Sequence, residues 1–174
     1  KFNFFLILIL LMGCTKTVPR KPINPKPSTT LLSATVEESK VLNKIENNRI
    51  LEFIEKDSLK QYIQSKSGFW YTYVNRIKDS LPMPKKGNEV IISYDIKTLN
   101  DSIIYSKENL GIKNYQIDKE DFISGLQKGL KLMKKGETIT FVIPSYSAFG
   151  ITGDGNKIKM NQTIKSTVTL IEIK

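Results

Sequence analysis

The thiol of Cys14 is the one side chain whose neighbours in the sequence point to a reaction: it follows Leu11-Met12-Gly13 at the end of an apolar run. The 174 residues contain no other cysteine and no histidine. No internal disulfide, cysteine-built zinc site, Ser-His-Asp or Cys-His triad, or imidazole acid–base step can be assembled from such a chain. Carboxylates, hydroxyls, amines and aromatic rings remain. Ser145 and Ser147 follow a predicted strand, but a serine–lysine hydrolase needs a buried amine beside an activated hydroxyl. No motif supports that arrangement.

Residues 2–12 are apolar apart from Asn3, too short to span a bilayer as a mature helix and of the size of a signal-peptide core. With the thiol that follows, Leu11-Met12-Gly13-Cys14 resembles the lipobox of bacterial lipoproteins. The resemblance implies cleavage after residue 13, diacylglycerylation of the Cys14 thiol and acylation of the new N-terminus. Several acyl chains anchor far more firmly than one, since each buried CH₂ contributes about 0.8 kcal/mol. The expected location is the bacterial cell envelope, lipid-anchored to the inner or the outer membrane and facing the periplasm. Residues 14–30 then form the acylated cysteine and a tether. Pro19, Pro22, Pro25 and Pro27 alternate with Lys16, Arg20, Lys21 and Lys26, which favours an extended, semi-rigid spacer.

Those four cations are a large part of the net charge of +10. The other lysines are scattered, with no basic helix or cluster of the kind that reads nucleic acid, so no nucleic-acid partner is expected. Between 31 and 66, Val41, Leu42, Ile45, Phe53, Ile54, Leu59, Tyr62 and Ile63 recur at three- and four-residue steps, predicting an amphipathic helical segment. Asp57-Ser58 offers a capping site, so a long and a short helix with a break near Lys56 are expected. The apolar stripe between 36 and 66 has three uses open to it: packing on the following domain, pairing with a second copy, or binding a partner.

From Gly68 onward the period changes to two. Strands are predicted over 69–74 and 90–96, with 102–105 returning from a turn at Asn100-Asp101, and over 138–143 and 164–173. Between them, 121–136 reads as one short helix whose apolar positions Phe122, Ile123, Leu126, Leu130 and Met133 share a face, with Asp121 to cap it and Gly136 to end it. The loop 144–163 is long enough to be functional. The fold class is α+β, a curled antiparallel sheet on a single helix.

The order of motifs has a further likeness. Ser67-Gly68-Phe69-Trp70-Tyr71, Pro84-Lys85-Lys86-Gly87-Asn88-Glu89-Val90, Ile92-Ser93-Tyr94, Ile123-Ser124-Gly125-Leu126-Gln127-Lys128-Gly129-Leu130 and Ile143-Pro144-Ser145-Tyr146-Ser147-Ala148-Phe149-Gly150 resemble, in order and spacing, the FKBP-type peptidyl-prolyl isomerase domain. The likeness covers residues 67–174. With the lipobox and the helical segment, the whole chain is similar to the gliding-motility-associated FKBP-type lipoproteins of Bacteroidetes.

The resemblance implies a rotamase, which breaks no covalent bond and needs no metal or cofactor. It places Tyr94, Ile123 and Phe149 in catalytic roles, the Ile123 N–H bonding a carbonyl of the prolyl peptide. Tyr105, Tyr115, Phe122, Leu126 and Ile158 would complete the substrate pocket, with Leu126 as its floor. The chain departs from the family at several of these positions. Tyr105-Ser106 stands for a usual Phe-Asp, Leu126 for a Trp, Phe149 for a Tyr, Lys159-Met160 for Pro-Pro, and Ser166 for an aromatic. Two functions stay open: a folding isomerase for exported, proline-containing clients, and a membrane-tethered binding or chaperone module that keeps the FKBP shape with weak or no catalysis.

Overall fold

The computed structural model describes residues 29–174, with side chains from Thr35 onward. Cys14, the signal segment and nearly all of the tether lie outside the described residues. Contacts divide the chain into residues 1–36 and a unit running from Glu37 to Lys174. The sheet, its core and the candidate site all belong to the second unit. Helix α1 spans Thr29–Lys56.

The sheet contains β1 (Ile63–Gln64), β2 (Trp70–Asn75), β3 (Glu89–Tyr94), β4 (Ile96–Lys97), β5 (Ile103–Tyr105), β6 (Ile112–Gln116), β7 (Thr138–Ile143) and β8 (Ile164–Ile173). All pairings are antiparallel, in the order β1-β2-β7-β8-β3-β6, with β4 bridging β5 and β8. Two helices, α2 (Lys107–Leu110) and α3 (Ser124–Leu130), interrupt the strands.

Strand alternation sorts side chains to the two faces. Ile139, Phe141 and Ile143 of β7, Val90, Ile92 and Tyr94 of β3, and Ile164, Val168 and Leu170 of β8 enter one core with Leu126, Leu130 and Met133. The opposite face of β2 and β7 presents Trp70 and Val142, and these close on Ile50 of α1 in a second apolar cluster edged by Phe53, Ile54 and Tyr62. Of the uses open to the amphipathic segment, packing on its own chain is therefore realised by one part of the stripe. Val41, Leu42, Ile45 and Leu51 remain exposed.

The second short helix expected after Lys56 is not formed. Asp57 caps nothing. Its carboxylate accepts from Lys60 Nζ and Tyr62 Oη, both at 2.9 Å. That turn brings Tyr62 edge-on to Phe53, with ring centroids 6.0 Å apart, and delivers β1 to the edge of β2. The predicted strand 90–96 is interrupted at Asp95, whose carboxylate takes the Thr167 N–H at 2.8 Å while its carbonyl accepts from the buried Ser166 Oγ at 2.6 Å. Ser166 thus has a hydroxyl-specific task where an aromatic was expected.

Helix α3 is shorter than the predicted 121–136. Asp121 does not cap it; Ile123 occupies that position without a side-chain bond. Phe122 is instead drawn out over Tyr94 and Tyr115, at centroid distances of 5.4 and 5.1 Å. At the far end, three-residue turns from Gly129 and Leu130 tighten the chain, and Gly136 donates to the Leu170 carbonyl to begin β7. Close approach of α3 to β7 depends on its glycines. A Cβ on Gly129 would stand 2.6 Å from Phe141 Cε1, and one on Gly125 would stand 2.5 Å from Ile143 Cγ2. Gly129→Ala is expected to destabilise the domain by about 1–3 kcal/mol through overpacking, read as a lower denaturant midpoint at an unchanged slope.

Candidate active site

A solvent-open cavity of about 480 Å³ is lined by Tyr94, Ile96, Tyr105, Leu110, Asp121, Phe122, Ile123, Ala148, Phe149 and Asp154. Its parts arrive from five places: β3 and β4, β5, the end of α2, the approach to α3, and the loop between β7 and β8. Tyr94 projects inward by strand alternation, and burial pushes its phenol pKa up. Phe122 stands perpendicular to it, the two ring planes meeting at 88°. Ile123 is held by the start of α3, its carbonyl accepting from the Gln127 N–H at 2.9 Å. Phe149 is carried by a loop pinned at its root, where Ala148 and Gly150 both donate to the Ser145 carbonyl.

The structure brings Tyr94, Tyr105, Phe122, Ile123 and Phe149 together on this cavity. It sets Tyr115, Leu126 and Ile158 one layer back, buried in the core behind it. Tyr115 supports Phe122 from below, and its hydroxyl accepts from the Asp118 N–H at 3.2 Å. Leu126 is wholly buried, so the exposed lining of the cavity is made by its neighbours.

Sequence reasoning missed Ile96, Leu110, Ala148, Asp121 and Asp154. Asp154 matters most. Its Oδ2 accepts from Tyr105 Oη at 2.5 Å, and its Oδ1 accepts from the N–H groups of Asn156 and Ile158 at 2.9 and 2.8 Å. Burial alone would raise its pKa; the Tyr105 hydroxyl and the two backbone donors outweigh that and hold the carboxyl below its ordinary 3.8. Tyr105 is shifted upward, first by this bond and then by burial. The signs define a window. A depressed carboxyl contributes fully above its unfolded value and fades as pH falls through the folded one, while a raised phenol contributes up to about pH 10 and fades as pH climbs beyond. The bridge is expected to hold unchanged from about pH 5 to pH 9. Amide chemical shifts of Ile158 and Asn156 check this, and a transition near neutrality would contradict it.

The turn that presents Asp154 needs glycine at 153. There φ is +68°, and a Cβ would stand 2.2 Å from the Ile158 carbonyl oxygen. Gly153→Ala is expected to displace Asp154 and free the Tyr105 hydroxyl, seen as a downfield-to-upfield move of that phenolic proton with the sheet resonances unchanged.

Among the described residues no three Cys, Asp or Glu side chains converge as a metal site would require. The cavity is walled by apolar and aromatic side chains, with Asp154 fixed by its hydrogen bonds and Asp121 in the lining, an arrangement suited to holding an apolar chain segment.

The model of the FKBP-type peptidyl-prolyl cis-trans isomerase family matches residues 82–171. The chain belongs to this family. It is 32% identical over 91 residues to the probable FKBP-type peptidyl-prolyl cis-trans isomerase FkpA of Neisseria meningitidis serogroup B, a match covering 52% of this chain and 33% of the relative. The chain thus spans about a third of that protein's length. Among solved structures, a peptidyl-prolyl cis-trans isomerase from Pseudomonas syringae pathovar tomato superposes with a TM-score of 0.62 at 21% identity, over 78% of this chain and 96% of its own. FkpA from Escherichia coli gives 0.60 at 21% identity, over 100% of this chain and 82% of its own. At those identities the likeness is one of fold.

Within the FKBP frame, the Tyr105–Asp154 pair bears on the departures noted in the sequence. The carboxylate missing at Ser106 and the hydroxyl missing at Phe149 re-enter the same cavity from other positions, as Asp154 and Tyr105. Ser106 has taken a different task, capping α2 by accepting from the Asn109 N–H at 3.3 Å.

Proposed function

We propose that this protein is a peptidyl-prolyl cis-trans isomerase acting on proline-containing segments of exported polypeptides. The observation that carries the reading is the 480 Å³ cavity walled by Tyr94, Phe122, Ile123 and Phe149. Rotation about an X-Pro amide meets a barrier of about 18–20 kcal/mol from C–N resonance and takes tens to hundreds of seconds uncatalysed. A twisted amide has lost that resonance and is less polar than either planar form, so apolar and aromatic walls favour it over both. Tyr94, Phe122 and Phe149 would grip the proline ring, and the Ile123 N–H would hold a neighbouring carbonyl while the amide turns. Interactions stronger in the twisted state than in the planar one are what lower the barrier.

The same reading anchors the chain to a membrane of the bacterial envelope through acylated Cys14, facing the periplasm, with a link to gliding motility. Leu11-Met12-Gly13-Cys14 and the order of segments support this. The exposed Val41, Leu42, Ile45 and Leu51 of α1 support a contact with a second copy or a partner along 36–66.

A holding module of the same shape is the second reading, favoured by Phe149 in place of a hydroxyl and by a Tyr105 hydroxyl already engaged with Asp154. Refolding of an unrelated protein with a prolyl-limited slow phase decides between them. Acceleration of that phase in proportion to the added chain establishes the isomerase. Binding of proline peptides or suppression of aggregation at an unchanged rate establishes the module.

A further inference from the structure

Beside the aromatic cavity lies a second, more polar cleft of about 550 Å³, lined in part by Arg49 of α1, Ile104 of β5, and Lys157, Lys159, Met160 and Thr163 of the long loop. The two share a wall. Ile104 precedes Tyr105, and Lys157 Nζ stands 5.2 Å above the Tyr105 ring that lines the aromatic cavity. A chain leaving the aromatic cavity over the Tyr105 ring therefore comes beside Lys157 of the cleft within a few residues, at roughly 3.3 Å per extended residue.

The cations of this cleft lack carboxylate partners, Lys157 resting over the Tyr105 ring. Arg49, Lys157 and Lys159 are exposed, and no carboxylate of the described residues lies within ion-pair distance of any of them. The acidic residue in the wall, Glu46, is fully engaged: Oε1 accepts from the Ser145 N–H and from Thr163 Oγ1, and Oε2 accepts from Ser145 Oγ. The aromatic cavity carries Asp121 and Asp154 in its own lining, with Lys113 Nζ 5.4 Å above the Phe122 ring. The lining of the cleft thus offers three cations against one carboxylate, whereas the lining of the cavity holds two carboxylates.

We propose that the cleft of Arg49, Lys157 and Lys159 is a specificity subsite for acidic residues of the client, within about three positions of the proline held in the neighbouring cavity. The inference rests on the isomerase or holding reading of that cavity. It also gives α1 a part in recognition, because Arg49 comes from the helix and the lysines from the loop. Acidic residues on the Lys157 side of the proline are favoured, and those on the Asp121 side are not.

The test uses the full chain in mild detergent and three matched proline peptides, carrying Glu-Glu before the proline, Glu-Glu after it, or Gln-Gln on both sides. Isomerisation rate and peptide affinity are both measured at low and high salt. One acidic peptide is expected to exceed the neutral one by about fivefold at low salt, as exposed ion pairs allow, and to lose that lead at high salt. Lys157→Glu with Lys159→Glu, and separately Arg49→Glu, should erase or invert the preference, read within each variant as the ratio of acidic to neutral peptide. Equal handling of the three peptides, or a preference untouched by the reversals, overturns the subsite. A chain that turns over none of them but binds one acidic peptide more tightly, in a salt- and reversal-sensitive way, loses the catalytic reading and keeps the subsite.

Discussion

Ile123→Asp is expected to reduce kcat/KM for prolyl isomerisation by at least about thirtyfold, and Phe149→Ala by about tenfold or more. Ile123 is 9% exposed, at the point where the chain enters α3 and borders the cavity. A carboxylate there is set among apolar and aromatic walls that desolvate it. Leaving a polar group unpaired in an apolar site costs about 2 kcal/mol at the low end, which converts to thirtyfold in rate. Truncating Phe149 removes one apolar wall, about 1.5–3 kcal/mol of contact if the proline ring fills the cavity. Phe149 is half-buried and packs on the core from a loop, so rates are compared at a temperature where circular dichroism shows the variant folded, which separates a site effect from unfolding. Protease-coupled or refolding kinetics on both variants, with circular dichroism as the control for folding, provide the check. Equal rates for wild type and both variants would show that the cavity takes no part in any rotation.

Glu46→Ala is expected to destabilise the unit by about 3 kcal/mol, equivalent to roughly 10 °C in melting temperature at this size. The carboxylate accepts three hydrogen bonds from the start of the β7–β8 loop and from Thr163, 99 and 117 residues away. Its loss leaves the Ser145 N–H and two hydroxyls without their acceptor in a buried setting, where each unsatisfied donor costs about 1–3 kcal/mol. The single tryptophan makes the effect visible. Trp70 is 6% exposed and packs with Ile50, one turn along the helix from Glu46. If α1 loosens, Trp70 emission should shift to the red before the sheet unfolds. Because Ser145 also pins the turn that carries Phe149, the variant should lose isomerase activity as well, whereas Glu46→Gln should recover part of both by keeping the carbonyl acceptor.

Much of the architecture was legible in the sequence. Strands 138–143 and 164–173 coincide with β7 and β8, because β-branched and aromatic residues alternating at period two have one place to go when a face must be buried. The family likeness followed from the spacing of the α3 segment and the Pro144–Gly150 turn, and five of the eight pocket positions named from it meet on one cavity. Three do not line it. Periodicity turns Leu126 inward and the family likeness adds Tyr115 and Ile158, but neither tells whether a position is the wall of a cavity or the layer behind it.

The amino-acid order by itself determined which chemistry is closed to the protein, where β2, β3, β5, β7 and β8 lie, and that an amphipathic helix precedes them, but it did not show β1 or β6. These are local properties: the absence of histidine, a period of two, a period near four. Tertiary structure decided what local pattern could not carry. The start of α3 moved past Asp121 because Phe122 gains more from the rings of Tyr94 and Tyr115 than a cap would supply. The helix predicted after Lys56 gave way to a turn because Asp57 found Lys60 and Tyr62. The Tyr105–Asp154 bridge joins residues 49 apart, and the Glu46 anchor joins residues 99 apart. Each replaces a lost or unmet polar partner with one from a distant segment. Short-range propensity is blind to such pairs, since what selects them is the cost of burying a polar group alone, incurred only once the chain has closed on itself.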